Sequence, residues 1–76
     1  MIFELWHSAK ESSYLFVGRD DRYENTMSAE KESAPDLVLV WTYKATSYFA
    51  AMQAYYDYLG YGVYKPEPDW EDIFYE

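Results

Sequence analysis

The sequence predicts a small two-layer α+β domain, and three observations carry that expectation. The chain has 76 residues, room for one modest core. Three short runs are rich in β-branched and aromatic residues as strands are, while one longer run has helical spacing with a stop at each end. Half of the residues are apolar and 22% are aromatic, so each ring buries a large area in a thin domain.

Residues 2–7, "IFELWH", read as a strand with Phe3, Leu5 and His7 on one face and Ile2, Glu4 and Trp6 on the other. The polar stretch "SAKESS" at 8–13 has the length of a hairpin connection. Residues 14–17, "YLFV", form a second strand, closed by Gly18 and the charged turn "RDDR" at 19–22. These two strands pair as an antiparallel hairpin. Residues 23–33, "YENTMSAEKES", contain good helix formers but few apolar positions, chiefly Tyr23 and Met27. They predict a short, largely exposed helix or a helical turn within a loop, stopped by Pro35.

"LVLVWTY" at 37–43 is the strongest strand, apolar on both faces. Residues 48–59 are the best helix, with Ser47 as N-cap and Gly60 at the left-handed C-cap position. Tyr48, Met52, Tyr55 and Leu59 make its apolar stripe, widened by Phe49 and Tyr56. The order is thus β-β-(α)-β-α. A right-handed crossover gives a three-stranded antiparallel sheet of order 2-1-3, packed by one long helix. The expected core is Leu5, Leu15, Val17, Leu39, Trp41, Met52, Leu59 and one of Tyr55 or Tyr56. One helix covers one sheet face, so the second face must meet the short helix, the C-terminal segment or another molecule. An uncovered face would favour a homodimer.

Fourteen acids against six bases give a net charge of −8, which repels nucleic-acid phosphates and anionic membranes and suits a basic protein partner. There is no cysteine, hence no disulfide framework, thiolate nucleophile or zinc knuckle. "MIFELWHSAKESS" lacks the basic start and apolar run of a signal peptide, which makes the cytoplasm the expected location. His7 is the single histidine and shares a face with Phe3 and Leu5, a structural placement. Asp20, Asp21 and Glu24 cluster, but Arg19 and Arg22 flank them as in a solvated turn. The glycines stand apart, so no phosphate-cradling loop exists. The expectation is a protein without enzymatic activity, metal or cofactor.

"FELWHSAKESSYLF", "PDLVLVWTYKATS" and "AMQAYYDYLGYGVYKP" together resemble a family of small uncharacterised bacterial proteins. Those proteins open on a "YELW" strand pair, continue through a "PDA-L-WT" segment and close on "LGW-PYKP". The resemblance runs from Phe3 to Pro66 and implies a stable small fold, with no catalytic residue to transfer. Tyr48 and Tyr61 stand where the family carries Trp, and the acidic stretch after Pro66 looks like this chain's own addition.

The chain therefore divides into a domain at 1–65 and an acidic-aromatic tail at 66–76. "PEPDWEDIFYE" holds Glu67, Asp69, Glu71, Asp72 and Glu76 with no base. Trp70, Ile73 and Phe74 are spaced i, i+3, i+4, so a helical turn would gather them on one side. Packed inward, such a turn docks on the open sheet face; facing outward, it enters a partner's basic groove. On the second reading the partner-binding set is Glu67, Asp69, Trp70, Glu71, Asp72 and Phe74, together with Tyr61 and Tyr64 from the helix exit. This describes a small acidic interaction protein, an inhibitor of a basic nucleic-acid-binding protein such as a bacterial defence nuclease by groove occupation or nucleic-acid mimicry. The alternative is a homodimeric ligand-binding or regulatory domain with a tyrosine-lined cleft.

Overall fold

The computed structural model describes residues 1–75. Two strands, β1 (Ile2–Ser8) and β2 (Ser13–Gly18), are followed by α1 (Tyr23–Ser33), a third strand β3 (Val38–Lys44) and α2 (Tyr48–Leu59). The sheet order is β2-β1-β3 with both pairings antiparallel, as the crossover argument requires. The β1–β2 connection turns through Ser12 at φ 52°, and Asp36 holds it from the far side of the sequence. Its carboxylate accepts the Ser8 hydroxyl at 2.7 Å and the Lys10 N–H at 2.9 Å, which ties the hairpin loop to the residues entering β3.

Each face of the sheet has its own cover. On one side Phe3 stacks on Phe16 with ring centroids 5.2 Å apart, Phe16 stacks on Tyr55 of α2 at 4.6 Å, and Trp41 stacks on Tyr58 at 4.7 Å. Ala51 is fully buried between these aromatic flanks, where its small side chain lets the helix approach closely. The contact face of α2 centres on Ala51, with the expected Tyr48, Met52, Tyr55 and Leu59 partly buried beside it and the stacked Tyr58 ring 47% exposed.

On the other side α1 supplies the cover, the first of the three occupants open from sequence. Tyr23 donates its hydroxyl to Glu4, Met27 is buried, and the Lys31 ammonium lies 5.0 Å from the Trp6 ring centroid. These residues recur at i, i+4 and i+8, so one narrow stripe suffices to seat a mostly polar helix. The buried Glu4 anchors the start of α1 through Tyr23, and its carboxylate also accepts the Trp6 indole N–H and pairs with Arg19. No buried side-chain polar atom among the described residues lacks a partner.

Leu39 departs from its expected core position and is 45% exposed. The cause is a bulge: Leu5 faces Trp41, whereas Trp6 faces Leu39, which leaves Val40 as the extra residue. A one-residue slip moves side chains to the opposite face. It also lies on an edge strand, where Val38 and Val40 are exposed beside it. Leu5 is fully buried as expected, the other best-buried apolar side chains are Phe3, Met27, Ala45 and Ala51, and Leu15, Val17, Trp41, Met52 and Leu59 are half-buried. No described helix is long and apolar enough to cross a membrane.

Candidate functional site

The first turn of α2 organises the C-terminal segment. Ser47 is extended (φ −149°, ψ 162°), and its hydroxyl oxygen accepts the Ala50 N–H at 3.1 Å, as an N-cap should. Two further N–H groups of this turn remain to be satisfied, and the tail satisfies both. Tyr48 donates its N–H to the Ile73 carbonyl at 2.8 Å, and Phe49 donates to the Asp72 carboxylate at 2.8 Å. Tyr75 returns an N–H to the Thr46 carbonyl at 2.8 Å, completing an antiparallel bridge between Ser47 and Phe74.

The Asp72 charge sits at the positive end of the helix. Burial alone would raise its carboxyl, but the N–H of Phe49, with Ser47 and Ile73, outweighs that and holds it below the ordinary value.

This pairing makes the segment extended, and the expected helical turn at Trp70–Phe74 does not form. Tyr75 turns inward to lie 5.8 Å from the Phe3 ring. Trp70, Ile73 and Phe74 are 56%, 58% and 78% exposed, so they do not dock on the sheet. A tight turn precedes them, with Trp70 donating its N–H to Glu67 at 3.0 Å. Glu67, Asp69 and Glu71 are exposed alongside, and Asp72 is half-buried at the helix. Glu76 lies outside the described residues.

Tyr61 and Tyr64 follow Gly60, which adopts the left-handed φ of 74°. Gln53, which spacing alone does not single out, clamps this exit: it donates to the Gly62 carbonyl at 3.1 Å and accepts the Tyr64 N–H at 2.9 Å. The Tyr64 ring then lies edge-on to Tyr56 and Phe49, and Tyr61 lies edge-on to Tyr55 and Tyr56. Tyr64 and Asp72 thus converge on Phe49, one through its ring and one through its N–H. Tyr61 sits further along α2 and is exposed.

Tyr75 and Asp72 are the residues whose structural role sequence reasoning missed. The sequence carries no signal of it, because Asp72 would share a strand face with apolar Phe74 and "DIFY" shows no polar–apolar alternation. A cleft of about 430 Å3 opens where the tail, α2 and the end of β2 meet, walled by the rings of Phe3, Phe16, Tyr48, Tyr55 and Tyr75.

His7 packs at 4.7 Å against Tyr14. Asp20 accepts the Arg22 N–H at 3.0 Å in the turn that leads into α1. Among the described residues no three His, Asp or Glu side chains gather as a metal-binding group. Comparison with protein-family models, curated proteins and solved structures finds no match to this chain.

Proposed function

We propose that this protein is a non-enzymatic interaction module whose C-terminal segment engages a basic protein surface. One observation supports this reading above the others. Residues 72–75 are held to α2 by the Tyr48, Phe49 and Tyr75 N–H bonds, yet Phe74 among them and Trp70 just before them stand mostly in solvent beside Glu67, Asp69 and Glu71. Ordering the backbone beforehand lowers the entropic cost of association, and exposed aromatics are the usual anchors of interfaces. The acids steer a cationic partner from a distance and keep the aromatics from sticking indiscriminately. A basic nucleic-acid-binding protein is the partner class that fits, with the acidic segment lying in the groove that phosphates occupy.

The test is capture from a bacterial lysate on the immobilised protein at low salt, with elution by about 0.5 M salt, where the screening length is a few ångströms. A basic protein should be captured by the wild type and lost with the Trp70→Ala, Phe74→Ala double variant. Tyr43→Ala, which removes an exposed ring from β3, should retain it. Equal capture by the double variant would overturn the reading.

A further inference from the structure

The cleft between β2, α2 and the tail is independent of the exposed aromatics and has its own chemistry. At about 430 Å3 it lies in the range of roughly 300–1,000 Å3 typical of small-molecule pockets. Its body is apolar: besides the five rings, the flexible Met1 and Met52 side chains and Ile73 line it. Gly18 keeps one wall clear, since a Cβ there would come within 3.1 Å of the Phe3 ring and 3.3 Å of the Met1 methyl.

Polarity enters at one side. Asp20 is the ionised side chain of the lining, and among the described residues no lysine or arginine accompanies it. The Met1 ammonium donates to the Ala45 carbonyl at 3.0 Å and keeps its positive charge, so Asp20 alone in the lining favours a cation. Burial, then Tyr48, Asp72 and Asp20, pushes the Tyr75 hydroxyl above its usual value, and this neutral phenol is a further hydrogen-bonding group of the lining.

We infer that this cleft binds a small arylalkyl or alkyl ammonium ion, its apolar body among the rings and methionines and its cationic head toward Asp20. The rings act mainly through contact area. Phe16 is sandwiched between Phe3 and Tyr55, so its faces are already taken and ring-face attraction to the cation is secondary. Selection for positive charge comes from the Asp20 carboxylate in a protein of net charge −8, which disfavours an anion of the same shape.

Three probes of nearly one shape separate these contributions: 2-phenylethylammonium, neutral 2-phenylethanol and anionic 3-phenylpropanoate. The readout is the methyl NMR signals of the methionines. Met1 and Met52 line the cleft, whereas Met27 is buried beneath α1 on the opposite sheet face and serves as the internal control.

The ammonium should bind with roughly millimolar affinity, as befits so small a ligand, shifting Met1 and Met52 and leaving Met27 in place. It should bind about two- to fivefold more tightly than the alcohol, the range expected of one exposed charge contact. The anion should bind most weakly. Asp20→Asn retains the oxygen that accepts the Arg22 N–H and should abolish the preference for the cation. Absence of Met1 and Met52 shifts at 20 mM ammonium, equal movement of Met27, equal affinity for the alcohol, or an unchanged preference in Asp20→Asn would each overturn the inference.

Discussion

The Tyr23 hydroxyl donates to the Glu4 carboxylate at 2.5 Å, joining the first residue of α1 to the middle of the central strand. Burial would raise the Glu4 carboxyl, but the hydrogen bonds from Tyr23, Arg19 and Trp6 outweigh it and hold it below its ordinary value of 4.5. As pH falls the unfolded chain therefore takes up this proton first. The stability contributed by Glu4 is complete above pH 4.5 and is lost as pH drops through the lower folded value.

Glu4→Gln should destabilise the protein by about 1–3 kcal/mol at pH 7, the scale of hydrogen bonds to a charged group. The difference from wild type should shrink toward pH 3. Urea melts at pH 7, 5 and 3 measure this, and a pH-independent difference would show that the charge of Glu4 contributes nothing.

Asp72 should control whether the tail stays on α2. Asp72→Ala leaves Phe49 without its acceptor, so amide exchange at Phe49 and Tyr75 should accelerate while that of β1 stays unchanged. Ser47→Ala removes the other cap and should cost about 1 kcal/mol. Unaltered exchange at Tyr75 in Asp72→Ala would mean that the backbone bridge holds the tail by itself.

Two leucines should behave oppositely. Leu5 is completely buried, and Leu5→Ala should cost about 2–5 kcal/mol. Leu39 lies beyond the bulge at the sheet edge, and Leu39→Ala should cost less than about 1 kcal/mol. Denaturant melts of the pair test the register directly, and a large loss at Leu39 would contradict it.

The strands and α2 were legible because strand composition, Ser47 and Gly60 act locally, and the sheet order followed from the crossover rule. Residues 23–33, by contrast, read equally as a short helix or a helical turn in a loop. The bulge at Val40 was not, since "LVLVWTY" is apolar at nearly every position and alternation alone cannot register a one-residue slip. Glu4 looks like a solvent-facing strand residue until Arg19, Trp6 and Tyr23 are seen to surround it. The charge and aromatic content of the tail were readable, but its conformation was not. Its partner, the first turn of α2, lies some twenty residues away, and only the folded chain brings Asp72 to Phe49.

α1 covers part of the second sheet face, on which a dimer was expected, and Leu39 stays exposed there. The bulge also interrupts the edge of β3, a common way to discourage strand pairing. Sedimentation at micromolar concentration should show a monomer. A dimer dispersed by Val40→Lys would instead show that the exposed apolar edge of β3 pairs with a second copy.

The position of β1 between its two neighbours has a kinetic consequence. Its pairing with β2 is local, closing at Ser8 and Ser13, and such hairpins form in about 1–10 μs. Its pairing with β3 joins Ile2 to Lys44, and the loop-closure entropy of that contact must be met before the sheet is complete. Collapse onto β3 is then the slow event, and attachment of residues 72–75 to the start of α2 follows it. Replacing Leu5 should slow refolding, whereas replacing Asp72 should chiefly hasten unfolding, so the two arms of a chevron plot would report on different ends of the same chain.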